Sequence, residues 1–328
     1  MSTSISNERA EEARKRILGL VESLGRTLVE HEEVIRLLAL ATAAGEPMLL
    51  LGPPGTAKSD LIFKFAQAIG VGAHDYFEYM ITAFTEPSEI IGPVDIKALR
   101  EQGVYQRRLE GKLADAKVVF LDEIFNGNSA ILNTLLTVMN EKKVYDAGRP
   151  KPLDKLVAFF AATNQIPERD ELNALKDRFV IKVRLQPVQH EHFDALIAAG
   201  LRNERYRSTG QTPWISGEVR AEDFTAVRRH VAELSHTDTD DFPRLPEPVH
   251  RTFRRIVLDL DAKGVSLSDR EVIKLYRLIL LHGYLFHGRL PGSIELGDLA
   301  VMRYVAESAA QFAVVRECVD AAIGGAGR

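Results

Sequence analysis

The chain has 328 residues, 45% of them apolar, and is therefore long enough to bury the core of one large or two medium domains. Its 42 Lys and Arg against 46 Asp and Glu give a formal net charge of -4, which argues against a general basic field for nucleic acid or an anionic membrane. No apolar run approaches the roughly 18 residues of a membrane span, and the first residues carry charges of both signs, so we expect a cytoplasmic protein.

The amino-terminal half alternates helical and strand-like patterns. Apolar residues at helical spacing predict amphipathic helices over about 8–24 and 32–44. Helix-forming segments at 59–70 and 129–143 then separate five short apolar runs, at 47–52, 76–81, 117–122, 156–164 and 179–185. Runs that are apolar on both faces are typical of parallel strands covered by helices. We therefore expect a doubly wound α/β domain over residues 1–187.

The carboxyl-terminal half contains no further strand-like run. Its loop-rich stretch predicts a linker or helical insert over 188–246, with Trp214 as a packing anchor. Three helices are predicted beyond it, at 249–264, 268–286 and 297–323. Residues 247–328 should therefore form a small all-α domain, in which Cys318, the single cysteine, is expected to be a buried structural thiol in a reducing compartment.

The stretch "LLLGPPGTAKSDL" follows the first predicted strand and opens a helix, as a phosphate-binding loop requires. Its backbone N–H groups and helix terminus favour phosphate, Lys58 can reach the β- and γ-phosphates, and Ser59 can ligate Mg²⁺. The predicted phosphate-binding residues are Gly52, Pro53, Pro54, Gly55, Thr56, Ala57, Lys58 and Ser59. The alternative is a plain strand-to-helix turn. Ala57 replaces the glycine of the pattern, and we expect it at the start of the right-handed helix, where a methyl group costs little.

Polar side chains end two further predicted strands. Asp122 and Glu123 follow "KVVFL": the first can hold Mg²⁺ through its hydration shell, and the second can polarise a water for attack on the γ-phosphate. The alternative for this acid pair is a helix cap. Asn164 ends "LVAFFAAT" and would either fix the attacking water or begin the next turn. Together with the loop, these residues predict Mg-ATP hydrolysis.

Four segments resemble the AAA+ ATPases, and within them the MoxR family: "GPPGTAKS", "VVFLDEIFNGNSAILNTLLTVMNEKKV", "AFFAATNQIPERD" and "LNALKDRFVIKVRL". The resemblance is good over 15–187, weak over 200–245, and returns at "LSDREVIKL". The wording "FLDEIFNGNSAILNTLL" is most similar to the group named for RavA, although the large lid insertion of that group is missing here. The resemblance implies an AAA+ P-loop NTPase fold, with a parallel five-stranded sheet flanked by helices and an all-α lid.

The resemblance also implies individual roles. Asn164 matches the sensor 1 position, Arg178 the arginine finger and Arg270 the sensor 2 arginine, while the residues beside the adenine would be Val29, Glu30 and His31. Arg178 would point away from its own phosphate site and serve a neighbouring subunit; the alternative is a surface ion pair.

Arg270 stands in a predicted S-x-x-E capping box formed by Ser268 and Glu271. The box places Arg270 in the first turn of a helix, where the macrodipole disfavours a cation. A phosphate held between the two domains, or the nucleotide of the neighbouring subunit, would explain this position. The alternative is a solvated surface arginine.

Two inserts are predicted to be hairpins, near 94–109 and 143–156. In related motors such hairpins line a central pore. Tyr105, Arg107 and Arg108 would then either contact a substrate or form a solvated face.

The function predicted from these observations is that of a Mg-ATP-hydrolysing AAA+ motor of MoxR type. The resemblance implies a homo-oligomeric ring, with a hexamer as the expected size, that acts as a chaperone or activator on a protein client. It also implies a partner with a von Willebrand factor A domain. The alternatives are a nucleic-acid motor of the branch-migration type, against which the acidic charge argues, and a non-hydrolysing scaffold gated by nucleotide.

Overall fold

A computed structural model describes residues 2–28, 31–146, 148–186, 193–235, 245–306 and 308–325. The strands in these residues are β1 (Met48–Leu51), β2 (Tyr76–Met80), β3 (Val118–Asp122), β4 (Lys143–Asp146), β5 (Arg149–Pro152), β6 (Ala158–Thr163) and β7 (Ile181–Arg184). Five of them form one parallel sheet in the order β2-β3-β6-β1-β7. The α/β fold and the five predicted strands are thereby confirmed.

The parallel strands all begin at one end of the sheet and all finish at the other. We call the end where they finish the carboxyl edge and the end where they begin the amino edge. All residues of β1 and β6 are buried, as expected for parallel strands covered on both faces. Because the strands run in one direction, residues 52–57, Asp122 and Asn164 all emerge at the carboxyl edge. Arg178 precedes β7 and therefore lies at the opposite, amino edge.

The helices of the amino-terminal half are α1 (Ser2–Thr27), α2 (Glu32–Ala44), α3 (Lys58–Ala68), α4 (Pro87–Ile91), α5 (Ile96–Gln102), α6 (Ser129–Glu141) and α7 (Asn173–Lys176). Helix α6 begins at a side-chain cap, since the Asn128 carboxamide oxygen accepts hydrogen bonds from the backbone N–H groups of Ala130 and Ile131. Helix α3, which follows the phosphate loop, has no side-chain cap. The first N–H groups of α3 are thus not occupied by a capping side chain.

The carboxyl-terminal half contains α8 (Phe193–Thr209), α9 (Ala221–Ser235), α10 (Glu247–Ala262), α11 (Asp269–His287) and α12 (Ala309–Gly325). The stretch predicted as linker or insert therefore holds two helices. Trp214 between them is buried and donates from Nε1 to Gln67 Oε1 of α3 at 3.0 Å, which confirms it as an anchor.

The predicted helix over 297–323 was wrong as one element. A 3-10 helix over Leu296–Tyr304 comes first, and α12 follows it. The fully buried Asp298 fixes this first part against α11, because its carboxylate contacts His282 Nδ1 at 3.1 Å and Arg289 Nη1 at 3.0 Å. Cys318 is buried, as expected.

One continuous core joins the amino- and carboxyl-terminal helices through one face of the sheet. It includes Ile17 of α1, Phe65 of α3, Phe224 of α9 and Leu275 of α11. A second core covers the other face, between β1, β3 and α6. The changes in composition near 187 and 246 therefore do not separate independent cores. No helix in the described ranges is both long enough and apolar enough to cross a membrane.

The first insert differs from the expected hairpin. Its ends meet only in an antiparallel bridge between Val94 and Arg107, and α5 lies between them. The helix forms because the Asp95 side chain accepts hydrogen bonds from two N–H groups of its first turn. The second insert is an antiparallel hairpin of β4 and β5. The backbone N–H of Arg107 donates to Asp146 Oδ1 at 2.8 Å and so joins the two inserts.

Candidate nucleotide site

A cleft of about 860 Å³ opens at the carboxyl edge of the sheet. It gathers most of the predicted site residues, namely Pro54, Gly55, Thr56, Ala57, Lys58, Ser59, Asp122, Glu123 and Asn164. Six further residues line it that the sequence patterns did not indicate: Asp60, Phe63, Glu78, Met80, Asn126 and Arg207. The loop, the acidic strand end and the amide therefore form one site, although they lie up to about a hundred residues apart in the chain.

Lys58 is held over the phosphate loop by the loop itself. Its Nζ donates to the carbonyl oxygens of Gly52 at 2.6 Å and Pro53 at 3.3 Å. Gly52 also lets the loop pass close to the end of β7, since a Cβ at Gly52 would stand 3.0 Å from the carbonyl oxygen of Leu185. The ammonium group is thus held by the loop, and Lys58 lines the cleft.

The expectation for Ala57 was wrong. Its backbone has φ 55° and ψ 27°, which is the left-handed region and not the start of the right-handed helix. A residue with a Cβ is disfavoured there by about 1–2 kcal/mol. Ala57 therefore occupies a position that glycine would take with less strain, and the loop retains that strain.

Asn164 bridges the two charged groups of the cleft. Its Oδ1 lies 3.4 Å from Lys58 Nζ, and its Nδ2 donates to Glu123 Oε1 at 2.5 Å. Glu123 itself has a left-handed backbone, with φ 53°, at the end of β3. Burial raises the pKa of the Glu123 carboxyl and the adjacent Asp122 adds to this, while Lys58 and Asn164 oppose it. The arrangement presents a strained, partly desolvated carboxylate fixed by a neutral amide.

Glu78 is a third carboxylate at the site, contributed by β2. Burial raises its pKa, and the charge of Asp122 raises it further, although hydrogen bonds from the hydroxyls of Tyr76 and Ser59 oppose the shift. Oxygen donors of Ser59, Asp122 and Glu78 match the preference of Mg²⁺, and a dication would relieve the repulsion between the two carboxylates. The signal in the sequence was a single acid within the otherwise apolar and aromatic strand "YFEYM".

A network beside the cleft connects α3 to α8. The buried Lys64 donates to Asp60 Oδ2 at 2.7 Å and to Asn203 Oδ1 at 3.0 Å, and Arg207 contacts Asp60 Oδ1 at 3.1 Å. The contacts of Asn203 and Arg207 with α3 depend on how distant helices pack, so sequence patterns gave no indication of them. They fix α8 against the helix that carries the phosphate loop.

The two predicted arginines lie elsewhere, at the amino edge. Arg178 and Arg270 both form ion pairs with Asp177, and neither is among the described residues that line the cleft. The ion pair expected as the alternative for Arg178 is present, but only 12% of the Arg178 side chain is exposed. Arg270 is half exposed, at 51%, and does not line the cleft. The capping box of Ser268 and Glu271 is confirmed.

The residues predicted beside the adenine are only partly described. Val29 and Glu30 lie outside the described residues. His31 is half-buried and precedes α2. Its role beside the base stays a prediction.

Comparison with known proteins shows which family the chain is similar to. Residues 15–223 match the model of the MoxR domain in the MoxR-vWA-beta-propeller ternary systems. An uncharacterized protein of Methanocaldococcus jannaschii is 39% identical over 285 residues, which are 87% of this chain and 68% of that protein. Chaperone MoxR1 of Mycobacterium tuberculosis is 26% identical over 49% of this chain and 41% of its own length. A solved structure of a candidate ATPase from Cytophaga hutchinsonii has the same fold, with a TM-score of 0.71 at 18% identity, covering 99% of this chain and 98% of that one.

Proposed function

Because the chain belongs to the MoxR family, we propose that it is a Mg-ATP-hydrolysing AAA+ motor that works as a ring and remodels or activates a protein client. The observation that carries the proposal is the chain of contacts from Lys58 through Asn164 to Glu123. An amide that contacts an ammonium group at one end and a carboxylate at the other supports this proposal, because γ-phosphate hydrolysis uses a phosphate-binding cation and a group that positions the attacking water.

Each residue of the cleft has a defined task in this proposal. Lys58 and the N–H groups of the loop bind the β- and γ-phosphates, and Ser59 with Asp122 and Glu78 holds Mg²⁺, which neutralises charge on the transferred phosphoryl group. Glu123 orients the attacking water and accepts its proton, for which its raised pKa is suited. Asn164 keeps the Glu123 carboxylate from forming a direct ion pair with Lys58.

The ring is proposed because the arginines lie at the wrong edge for their own cleft. Strand β1 has four residues at about 3.3 Å each, so a rigid sheet about 13 Å deep separates the amino edge from the loop. Arg178 and Arg270 would therefore reach the phosphates of an adjacent subunit. The same placement makes the trans alternative for Arg270 the one we adopt.

The proposed partner is inferred from the family alone. The matched family is described by systems that contain a vWA component, so a von Willebrand factor A domain protein is the proposed partner. The likeness to the RavA group and the hexameric size stay predictions. The exposed side chain of Tyr105 and the insert around it are the proposed client contact. The nucleic-acid alternative gains no support, since Arg107 is committed to Gly92 O at 2.7 Å and Arg108 pairs with Asp95.

The test is a comparison of Glu123→Gln with Glu110→Gln, a change of the same kind at an exposed position. Phosphate release by Glu123→Gln should fall by roughly 10³-fold, because the general base is lost. Binding of a fluorescent ATP analogue should stay as in the unaltered protein, and Glu110→Gln should hydrolyse ATP normally. Undiminished hydrolysis by Glu123→Gln would contradict the proposal, and hydrolysis stimulated by DNA would favour the nucleic-acid alternative.

A further inference from the structure

The geometry points to Asp177 as a positioning residue that holds Arg178 and Arg270 as one pair and ties this pair to helix α11. The inference rests on the proposed function, because the ligand of the pair is the phosphate tail of the nucleotide in the adjacent subunit. Asp177 lies between α7 and β7, so it belongs to the sheet domain. The groups that it binds come from both sides of the boundary between that domain and the carboxyl-terminal helices.

Both oxygens of the Asp177 carboxylate are occupied. Oδ1 accepts a hydrogen bond from Ser268 Oγ at 2.5 Å, and Oδ2 contacts guanidinium nitrogens of Arg178 and, at 3.4 Å, of Arg270. Ser268 and Arg270 belong to the first turn of α11 and its cap, whereas Arg178 directly follows Asp177. One carboxylate thus sets the separation of two arginines that are 92 positions apart in the sequence.

The charges of this cluster are incomplete without an anion. Two guanidinium groups share one carboxylate. Burial and the charge of Arg270 lower the pKa of Arg178, although Asp177 and the charge of Glu271 oppose this shift. The Nε of Arg178 is buried and has no hydrogen-bond partner among the described residues. A buried donor without an acceptor costs about 1–3 kcal/mol, and more on a charged group. Phosphate oxygens supply the missing negative charge at the exposed side of this pair.

A second contact makes the position of α11 matter. The Glu271 carboxylate accepts from the backbone N–H of Ser268 at 3.0 Å and pairs with the fully buried Lys182 of β7 at 3.5 Å. The beginning of α11 is therefore attached to the sheet by both Asp177 and Lys182. A movement of α11 would displace Arg270 directly and Arg178 through Asp177, so the helix position in one subunit would set hydrolysis in the next.

The first test is Asp177→Asn, in which the amide oxygen can still accept from Ser268 but the charge is lost. We expect kcat to fall about tenfold or more, since a small misplacement of a catalytic group has effects of this size, while KM for ATP stays within about twofold. Asp177→Glu restores the charge and should recover activity above Asp177→Asn. Asp170→Asn, the same change seven residues earlier beside Asn173, is the control and should be fully active. Equal activity of Asp177→Asn and the unaltered protein would overturn the inference, as would Asp177→Glu no better than Asp177→Asn.

The second test mixes Asp177→Asn subunits with Glu123→Gln subunits. An Asp177→Asn subunit keeps an intact cleft and should regain hydrolysis when its neighbour contributes correctly held arginines. Mixed rings should therefore exceed the mean activity of the two separate variants by at least about threefold. No gain on mixing would place the defect within the variant's own cleft and overturn the inference. Failure of the proposed function is distinct, because the unaltered protein would then hydrolyse no ATP at all.

Discussion

The two edges of the sheet hold charged groups in opposite ways. At the carboxyl edge, Lys58 and Glu123 are kept apart by the neutral amide of Asn164, and the three surround an open cleft. At the amino edge, Arg178 and Arg270 are drawn together on Asp177. In the proposed function, the carboxyl edge receives a nucleotide and the amino edge is brought to the nucleotide of an adjacent subunit. On that proposal, the order of elements in this fold does not complete a site within one chain.

The backbone differs between the edges in the same sense. Among the described residues, Ala57, Glu123 and Lys142 are the non-glycine residues with positive φ, and the first two lie at the cleft. Backbone strain is thus concentrated where the nucleotide is expected, which is typical of functional sites. The amino edge instead holds a buried hydrogen-bond donor, Nε of Arg178, for which the described part of the chain offers no acceptor.

The largest effect that would sharpen this comparison is expected from Arg178→Ala. An arginine that neutralises transition-state charge contributes about 10³-fold or more to kcat, so phosphate release should fall by that factor while nucleotide binding persists. Arg254→Ala, at an exposed position of α10, is the control. The size of the variant must be measured alongside the assay. A variant that remains fully active as a dilute monomer would contradict the proposal that Arg178 serves an adjacent subunit.

A smaller effect, on stability, is expected at the amino edge from Lys182→Met. Lys182 is 0% and Glu271 4% exposed, so removing the ammonium group deletes an ion pair between two buried side chains. Such changes cost about 3 kcal/mol, measurable as a lower urea midpoint. The control is Arg251→Met, which breaks an exposed pair with Glu247 and should cost less than about 0.5 kcal/mol. Equal losses would show that the amino edge is not a buried attachment for α11.

The sequence was sufficient for the sheet and for the parts of the site that lie within single motifs. Two-faced apolar runs distinguish buried parallel strands from amphipathic helices, so all five strands were predictable. Helices α8 and α9 were less clear because the Gly and Pro residues between them are typical of loops. The segment 94–109, which was expected to be a hairpin, contains α5 instead, because the Asp95 cap outweighed the β-propensity of the neighbouring residues.

The remaining parts of the site depend on contacts that no local pattern encodes. Glu78 joins Asp122 only because β2 and β3 pair in register, with Met80 opposite Asp122. Asp177 became informative only when α11 placed Ser268 and Arg270 against it. The conformation of Ala57 follows from the path of the loop over Lys58, which the spacing of glycines does not determine.

The pH dependence of stability should distinguish the Glu123 carboxylate in the cleft from a carboxylate that is stabilised by an ion pair. Burial and Asp122 raise the pKa of Glu123 in the folded state above its unfolded value, so ionisation is less favourable in the folded protein. The contribution of Glu123 to the free energy of unfolding therefore falls as pH rises from its unfolded pKa to its raised folded pKa. Glu123→Gln should be more stable than the unaltered protein near pH 7, with the difference vanishing below the ordinary glutamate pKa of 4.5. Urea denaturation at both pH values, with Glu110→Gln unchanged throughout, measures this; a destabilised Glu123→Gln at pH 7 would contradict it.

The smallest effect is expected from Ala57→Gly. Relief of the left-handed conformation at φ 55° returns about 1–2 kcal/mol, and the added freedom of glycine in the unfolded chain removes about 0.5–1 kcal/mol. The variant should therefore gain up to about 1.5 kcal/mol in free energy of unfolding. Ala130→Gly, in the right-handed and exposed first turn of α6, should instead lose stability, because no strain is relieved there. Opposite signs for the two variants would locate backbone strain at the carboxyl edge, whereas equal losses would mean that Ala57 does not hold its left-handed conformation in solution.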